Sequence, residues 1–358
     1  MGTKAGRGAP AATARESDHS RLRSYEALVG PGGARRADVY IAEYLKVATR
    51  SQLKARSALI EVDGKIAKPS RPLVEGERLL VSWTEEPSPS LVAEDIPLDI
   101  LYEDDRVIVV NKAQGMVTHP GAGNRRGTLA NAVLGRLAAP AGPDATGHAA
   151  NNEVGVATAA LRGGIVHRLD KDTSGVIIVA KDAEAQSYLS SQFRDRTTRK
   201  EYLAVTTGIP RVGSGTVGGG WNRRESRLGR DRRDRKRFAE VVEGGRLAVT
   251  DWRVLSTYGE YALVLLHPRT GRTHQLRVHL AALGSPILGD PIYGARSRRG
   301  GEGSAASQAT LMLHAWKLAI RLPGHDEASS FVAPIPRRFP LILHRLERRF
   351  GKTKPPRS

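Results

Sequence analysis

The feature that most restricts the fold of this chain is a charge-dense segment lying between apolar stretches. Residues 167–172 read HRLDKD, and residues 176–180, VIIVA, follow them closely. An apolar run of that length predicts a strand buried on both faces. Charges beside a core are unfavourable unless they are paired, and reactive groups are often held on loops between rigid strands. The segment predicts either a reactive loop or a salt-bridged turn in which residues 172–174 satisfy backbone donors.

The other apolar patterns predict strands and helices that do not alternate strictly. Asp182 can cap a helix that carries Leu189 and Phe193, and Thr273 can cap a helix that stops at Gly284. Further elements are predicted as strands at 107–110 and 261–266 and as a helix at 128–137. This mixture predicts an α+β domain over residues 97–350 with a mixed, largely antiparallel central sheet. Surface loops are expected at 138–164, 213–220 and 297–310, where glycine and small residues accumulate.

A second, smaller α/β domain is predicted over residues 31–90, after a basic, disordered tail at 1–30. Its first predicted helix has an apolar side that includes Val39, Ala42, Tyr44 and Leu45. A second helix is expected from Arg50, capped by Thr49 or Ser51, with Leu53 on its apolar side. Asp63-Gly64 predicts a hairpin, and residues 76–83 predict a further strand. Residues 351–358 are expected to form a second basic tail.

Charge and cysteine content limit the classes of function. The net charge of +19 indicates either a polyanionic partner such as nucleic acid or a basic surface that maintains solubility. Residues 223–237 contain nine Lys/Arg and three acidic residues, which favours nucleic acid. The absence of cysteine excludes disulfides, thiolate catalysis and thiolate zinc sites. The lack of cysteine also fits a reducing compartment. The sequence has no apolar run of about 18 residues and no signal peptide, so we expect a cytoplasmic protein with no membrane association.

Basic residues and histidines are concentrated in a second segment, residues 267–279, which read HPRTGRTHQLRVH. They surround a predicted helix start, where free amides and partial positive charge favour anions. Arginines at such a place can hold a carboxylate or phosphates. The alternative is a solvated basic face without a ligand.

Several of these segments, in the same order, are those of a known enzyme family. HRLDKDTSG (167–175), KEY (200–202) and GRTHQLRVHL (271–280) resemble the three motifs of the RluA family of pseudouridine synthases. The resemblance extends to Gly289-Asp290, Tyr293-Gly294, Leu313-His314-Ala315 and FVAPIP (331–336), and covers most of the large domain. It implies the pseudouridine synthase fold and a cofactor-free, metal-free isomerisation of uridine in RNA. The RluD-like branch, which acts on large-subunit ribosomal RNA, is the most similar, and a monomer is expected.

The resemblance also implies roles for individual residues. Asp170 matches the family's nucleophile, and Arg277 matches the arginine that pairs with it. We expect Arg277 to keep Asp170 ionised in a dry pocket, because a neighbouring guanidinium favours a charged carboxylate. Tyr202 would pack against the target base and assist proton transfer, and Leu276 would line the same pocket. Arg168 is expected to fill the space left by a base that has moved out of its stack.

The small domain resembles the RNA-binding module named after ribosomal protein S-four. In that module the second helix carries basic residues to the RNA backbone, and Arg50, Lys54 and Arg56 occupy the matching positions. The residues before Val62 depart from the module's usual glycine-bearing turn, because Ala58 and Leu59 stand there. A generic α/β adaptor with ordinary surface charges is the alternative.

Two other functions compete with an RNA-modifying enzyme. Residues 170–173, DKDT, resemble the signature of phosphotransferases with an aspartyl nucleophile, but His167-Arg168-Leu169 separate them from the preceding apolar residues and the threonine comes one place early. The second competitor is a non-catalytic RNA-binding or ribosome-assembly protein that has kept the fold. The complete set of Asp170, Tyr202 and Arg277 favours the enzyme.

Overall fold

The structure is a computed structural model that divides into two compact units between Ser90 and Leu91. It describes residues 13–14, 22–31, 35–84, 91–121, 123–138, 162–211, 216–217, 220–231, 233–234, 237–294 and 309–353. The predicted loops at 138–164, 213–220 and 297–310 lie mostly outside these residues. No helix in the described ranges has both the length and the apolar composition needed to cross a bilayer.

The N-terminal unit packs short helices on an antiparallel sheet with strand order β1-β2-β5-β3-β4. The helical elements are α1 (Ala37–Tyr40), a π-helical turn (Ile41–Leu45) and α2 (Arg50–Ala55). The strands are β1 (Thr13–Ala14), β2 (Leu22–Leu28), β3 (Leu59–Val62), β4 (Lys65–Ile66) and β5 (Arg78–Thr84). Thr49 caps α2 in a reciprocal arrangement with Gln52, and Asp63-Gly64 forms the predicted hairpin, both with positive φ. This unit has its own core, which includes Ile41, Leu53 and Leu79.

Two predictions for this unit are wrong. Residues Leu22–Leu28, placed in the disordered tail, form β2 and pair along their whole length with β5. Ala27 is buried in this pairing, and Tyr25 stacks on Trp83. The first helix continues as a π-helical turn from Ile41, which shifts its register. Its buried side therefore contains Ala37, Tyr40 and Ile41, whereas Tyr44 is 47% exposed.

The large unit is built on one mixed sheet, and all but one of the strand pairs among its described residues are antiparallel. The strand order is β10-β11-β13-β14-β9-β15-β8-β7-β6, with β12 beside β11 and β16 beside β15, and β15 and β8 form the parallel pair. The strands are β6 (Ile100–Glu103), β7 (Val107–Lys112), β8 (Ser174–Ala180), β9 (Arg199–Thr207), β10 (Thr216–Val217), β11 (Trp221–Arg230), β12 (Phe238–Glu240), β13 (Arg246–Tyr258), β14 (Tyr261–Pro268), β15 (Leu313–Arg321) and β16 (Ala328–Val332). The α+β class and the largely antiparallel sheet are confirmed.

In the described residues, four helices cover this sheet and form two cores with it. They are α3 (Leu129–Ala138), α4 (Ala183–Asp195), α5 (Gln275–Ala282) and α6 (Arg338–Phe350). The first two helices pack on β7 and β8, and the last two on β9 and β14. Asp182 caps α4 as predicted by accepting a hydrogen bond from the backbone N–H of Ala185. Gly284, at φ 72°, follows α5 and ends it.

The remaining local differences lie near the charged segment and at the C-terminus. Ile165, in the apolar stretch before the charged segment, forms an isolated bridge to Val179 instead of a strand. Thr273 is not the N-cap of α5, because the helix begins at Gln275 with His274 in left-handed backbone as its N-cap. Thr353, assigned to the second tail, exchanges backbone hydrogen bonds with Thr257 on β13.

Candidate active site

A cavity of about 470 Å³ opens beside the charged segment and contains all the residues predicted for the catalytic pocket. A cavity of this size falls in the range of small-ligand sites, roughly 300–1,000 Å³. Its lining includes seven Lys/Arg side chains and one acidic residue, Asp170. The members discussed below are Arg168, Asp170, Arg196, Lys200, Tyr202, Arg272, His274, Leu276 and Arg277.

A single row of paired residues across the sheet explains why the three motifs meet. Leu266 on β14 pairs with Tyr202 on β9, which pairs with Ala315 on β15, and Ala315 pairs with Gly175 on β8. Gly175 ends the charged segment, and β14 leads into residues 271–280. Gly175 has φ 116°, and a Cβ there would stand 2.1 Å from the Ala315 carbonyl oxygen. The close approach of β8 and β15 therefore requires glycine at this position.

Hydrogen bonds to four consecutive carbonyl groups fix the backbone of the loop that carries Asp170. Thr118 Oγ1 donates to the Leu169 carbonyl oxygen over 2.8 Å, and the Thr173 N–H donates to that of Asp170 over 3.1 Å. The Lys171 carbonyl accepts from the Gly115 N–H at 2.9 Å and from Lys112 Nζ at 3.2 Å. The Asp172 carbonyl accepts from Gln114 Nε2 at 2.9 Å. Residues 112–118 thus hold the loop from behind, which orients Asp170 before a substrate binds.

Lys112 is a fully buried cation among the residues that hold the Asp170 loop. Besides Lys171, its ammonium group donates to the carbonyl oxygens of Ala113 at 3.0 Å and Met116 at 2.8 Å. Burial lowers the pKa of Lys112 to about 8, and the charges of Asp170 and Asp172 oppose that shift. Three carbonyl acceptors match the three donors of an ammonium group.

Arg277 joins the two carboxylates of the site. Its Nη1 donates to Asp170 Oδ2 at 3.2 Å, while Nε and Nη2 donate to the two oxygens of Asp290 at 2.7 and 2.8 Å. The Arg277 side chain is 6% exposed, Asp290 is fully covered, and Asp170 is 19% exposed. Burial opposes the charged form of Arg277, but the hydrogen bonds and charge of Asp290, with those of Asp170, raise its pKa. Asp290 thereby holds the guanidinium bidentately and leaves one edge for Asp170.

His274 and Tyr293 complete the wall around this pair. His274 Nε2 lies 3.9 Å from Asp170 Oδ2, and its Nδ1 hydrogen-bonds with the Tyr293 hydroxyl at 2.9 Å. That hydroxyl also accepts from the Phe238 N–H at 2.8 Å, and the Tyr293 ring lies against the Arg277 guanidinium. Burial lowers the pKa of His274, although the charge of Asp170 opposes that shift. His274 is the N-cap residue of α5, with φ 56°, but its side chain makes no capping hydrogen bond and lines the cavity instead.

The other predicted pocket residues line the same cavity. Tyr202 is largely covered, and burial followed by the charge of Asp170 raises the pKa of its phenol. The phenol therefore stays protonated, so the structure does not favour Tyr202 as a base. Leu276 is buried in the wall, and Arg168 is exposed at the mouth. Only their placement is observed, and their roles remain predictions.

The predicted RNA-binding residues of the small unit have different surroundings. Arg50 donates to Asp38 Oδ2 at 3.1 Å, and Arg36 holds the same carboxylate bidentately. The Arg56 guanidinium lies over the Trp83 ring at 5.0 Å, and Lys54 is exposed. Lys54 is thus the most accessible of the three for a phosphate.

The described part of the arginine-rich run 223–237 is partly structural. Arg223 pairs with Asp251, which is buried and also holds Arg269, and Arg224 pairs with Glu240. These pairs join β11 to its neighbours β13 and β12. At these two positions the arginines hold the sheet together, so the run is not uniformly a nucleic-acid surface.

The sequence interpretation missed the functional contacts of Lys112, His274 and Asp290. Asp290 and His274 lie inside matched motifs, but their residue types and spacing alone predict no role for either. Asp290 stands in a segment of apolar residues and glycines, and a carboxylate that is buried there needs a cation. That signal could have indicated a partner such as Arg277. Lys112 directly follows a buried strand, where a cation likewise needs acceptors.

Comparisons with known proteins agree with this geometry. A family model described as "RNA pseudouridylate synthase" matches residues 106–282. A relative from Borreliella burgdorferi, "Ribosomal large subunit pseudouridine synthase D", is 38% identical over 316 residues, which cover 87% of this chain and 89% of the relative. The chain belongs to the RNA pseudouridine synthase family.

Further relatives support this membership and the fold. The Xylella fastidiosa protein of the same name is 38% identical and covers 86% of this chain and 88% of its own length. The solved structure "Human RNA Pseudouridylate Synthase Domain Containing 1" is 26% identical, with a TM-score of 0.50, and covers 74% of this chain and 93% of its own. The family predicted from the motifs is therefore confirmed, as is an isomerase that acts on RNA.

Proposed function

We propose that this protein converts specific uridines of large-subunit ribosomal RNA to pseudouridine, with Asp170 as the nucleophile. The observation that carries the proposal is the Asp170 carboxylate, which lines a cavity of about 470 Å³ and accepts a hydrogen bond from a buried Arg277. Members of the family to which this chain belongs perform this reaction on RNA. The relatives' names supply the ribosomal target.

The reaction is an isomerisation in which every atom of the nucleotide is kept. The bond from ribose C1′ to uracil N1 breaks, the base turns, and a bond from C1′ to C5 forms. C5 loses its proton, and N1 gains one. An ionised carboxylate can bond to C1′, add to the ring, or remove a ribose proton, and the geometry at Asp170 serves all three routes. Arg277 supports each of them because its hydrogen bond holds the carboxylate in position.

The target base has to leave its stack to reach Asp170, which costs a few kcal/mol. Arg168, exposed at the cavity mouth two residues before Asp170, is placed to fill the vacated space. Tyr202 and Leu276 present aromatic and apolar surface to the base. The phenol of Tyr202 enters as a neutral group, because burial raises its pKa.

The ribosomal target also fits the charge of the chain. A net charge of +19 favours a polyanion, and folded ribosomal RNA offers phosphates on many sides. Ribosomal RNA in the cytoplasm, bound by a monomer without a cofactor, is the complete form of the proposal.

The small unit is proposed to add an RNA contact through Lys54. Lys54→Glu should weaken binding to a ribosomal RNA transcript and reduce the salt dependence of the binding constant, because a phosphate contact releases counterions. Lys65→Glu is the matched control, since Lys65 is also exposed but lies on β4. Equal effects of both substitutions would mean that α2 makes no particular contact.

Mapping pseudouridines tests the function directly. Ribosomal RNA from cells with and without the gene is compared position by position, and the missing sites are restored by the purified protein on an unmodified transcript. Loss of defined large-subunit sites and their recovery in vitro are expected. Tight RNA binding without any pseudouridine would instead indicate a non-catalytic ribosome-assembly protein.

A further inference from the structure

Four basic side chains form a cluster at the rim of the cavity, on the side of α4 and the start of β13. Arg196 follows the last residue of α4, Lys200 lies on β9, and Arg272 precedes α5; all three line the cavity. Arg272 Nε donates to the Leu247 carbonyl oxygen at 3.1 Å, at the start of β13, and the Arg272 guanidinium interacts with the charge of the neighbouring Arg246. We call Arg196, Lys200, Arg246 and Arg272 the rim cluster.

Two acidic residues that neighbour the cluster in the sequence are bound to other cations. Asp195 pairs with Arg194 at 3.2 Å, and Glu201 pairs with Arg199 at 2.8 Å. Within the part of the chain that the structure describes, no salt bridge joins a member of the rim cluster to a carboxylate. Asp170, the acidic residue of the cavity lining, is held by Arg277. The cluster therefore has positive charge that the described protein does not neutralise.

The members of the cluster repel one another. Burial lowers the pKa of Arg272, and the charges of Arg246 and Arg196 lower it further. Burial lowers the pKa of Lys200 to about 8, with the charge of Arg196 acting in the same direction. Arg196 also adopts left-handed backbone, at φ 61°, where glycine or asparagine is the usual residue at a helix end. A bound anion would offset the repulsion between these like charges.

We propose that the rim cluster binds a backbone phosphate of the substrate RNA, beside the nucleotide that enters the cavity. The inference rests on the proposed function, because that function supplies the anion. A guanidinium group can donate to two oxygens of one phosphate at once. Two of the three arginines are exposed and are therefore accessible to a strand that passes over the rim. A phosphate held here would fix the position of the nucleotide relative to Asp170.

The test neutralises phosphates in the RNA one at a time and asks which ones the protein needs. An unmodified transcript of large-subunit ribosomal RNA is ethylated sparsely at its phosphates, the bound fraction is separated, and the interfering positions are mapped. Wild-type protein should show interference at a phosphate next to the uridine that it converts. The variant Arg196→Gln/Arg246→Gln should lose that interference, because it lacks the two exposed guanidinium groups that would contact this phosphate.

The same variant should bind the transcript roughly tenfold more weakly, as expected for a lost charged hydrogen bond. Its slope of log binding constant against log salt should be less steep by about 0.7–0.9. The control Arg345→Gln/Arg348→Gln removes the same charge from exposed positions on α6 and should keep the interference. Circular dichroism of both variants checks that they are folded.

The outcomes separate the two proposals. If wild-type protein forms no pseudouridine in the transcript, the proposed function fails, whatever the interference shows. If wild-type protein is active but Arg196→Gln/Arg246→Gln keeps both the interference and the salt slope, the rim cluster does not bind a phosphate and the function stands.

Discussion

Replacing Asp290 with asparagine removes the charge that holds Arg277 in place while keeping the shape of the side chain. Two hydrogen bonds of 2.7 and 2.8 Å join Arg277 to a carboxylate that is fully covered. Breaking a buried ion pair by removing one partner costs about 3–5 kcal/mol, because the other charge stays buried. Asparagine can still accept from the N–H groups of Ile292 and Tyr293, which bond to Asp290 Oδ1. We therefore expect Asp290→Asn to lose about 3–5 kcal/mol of unfolding free energy and still to fold.

The same change should slow the reaction, since Arg277 would no longer be fixed beside Asp170. A loss of positioning of this kind costs up to about 100-fold in rate. The assay combines urea unfolding with single-turnover pseudouridine formation on a ribosomal RNA transcript.

The pH dependence follows from the pKa of Asp290. Burial alone would raise that pKa, but the hydrogen bonds and charge of Arg277, aided by the two backbone N–H groups, lower it. A carboxyl group with a lowered folded pKa stabilises the protein above its unfolded pKa, about 3.9, and loses that contribution as pH falls through the folded value. The difference in stability between wild type and Asp290→Asn should thus stay constant from pH 7 to pH 5.

Asp182→Asn is the control, because the ion pair of Asp182 with Arg106 is partly open to solvent, with the Asp182 side chain 35% exposed. Asparagine also caps helices well. It should cost at most about 1 kcal/mol and leave the single-turnover rate unchanged. The reasoning is refuted if Asp290→Asn lies within about 1 kcal/mol of wild type. Lower stability with an unchanged rate would refute the positioning of Asp170 by this route.

Three further predictions concern the surroundings of the site. Burial lowers the pKa of His279 to about 4, so between pH 6.5 and 4 the unfolded chain binds a proton at this residue and the folded protein does not. The loss of unfolding free energy from pH 7 to pH 5, measured by urea titration, should therefore be about 2 kcal/mol smaller in His279→Gln than in wild type. Lys112→Met removes the buried donor of the Ala113 and Met116 carbonyl groups, whereas the Lys171 carbonyl keeps the Gly115 N–H, and the change should cost about 3 kcal/mol in urea unfolding. A value below about 1 kcal/mol would mean that Lys112 does not support the loop. Because burial raises the pKa of Tyr202, Tyr202→Phe should leave the pH dependence of single-turnover rates between pH 7 and 9 unchanged, whereas a wild-type rate that rises tenfold per pH unit only when the phenol is present would identify it as a base.

The sequence predicts the large domain well where local pattern decides structure. Residues 107–110, 176–180 and 261–266 are continuous apolar runs, and all three are strands. Capping residues such as Thr49 and Asp182 mark helix starts because their side chains satisfy backbone donors within three residues. The motifs also place Asp170, Tyr202 and Arg277 in one site, since their spacing is that of a known family.

The remaining features depend on contacts that local pattern does not encode. The β2 strand has charged and polar residues on both faces, and its pairing partner β5 is about 55 residues away, so the segment resembles a tail. The bond from Gln114 to the Asp172 carbonyl spans 58 residues, and the four-residue row across the sheet joins strands that are far apart in sequence. The sequence predicts Arg50 as an RNA contact, but in the fold it forms an ion pair with Asp38, which lies 12 residues earlier in the chain.

The central claim is that the Asp170 carboxylate performs the chemistry, and single-turnover pseudouridine formation by Asp170→Asn on saturating ribosomal RNA measures it most directly. Asparagine keeps the size of the side chain and removes the nucleophilic charge. We predict less than about one per cent of the wild-type rate, a loss of roughly 3 kcal/mol or more of transition-state stabilisation, with RNA affinity within about twofold of wild type. A rate of several per cent of wild type or higher, in protein shown to carry asparagine at position 170, would contradict the account.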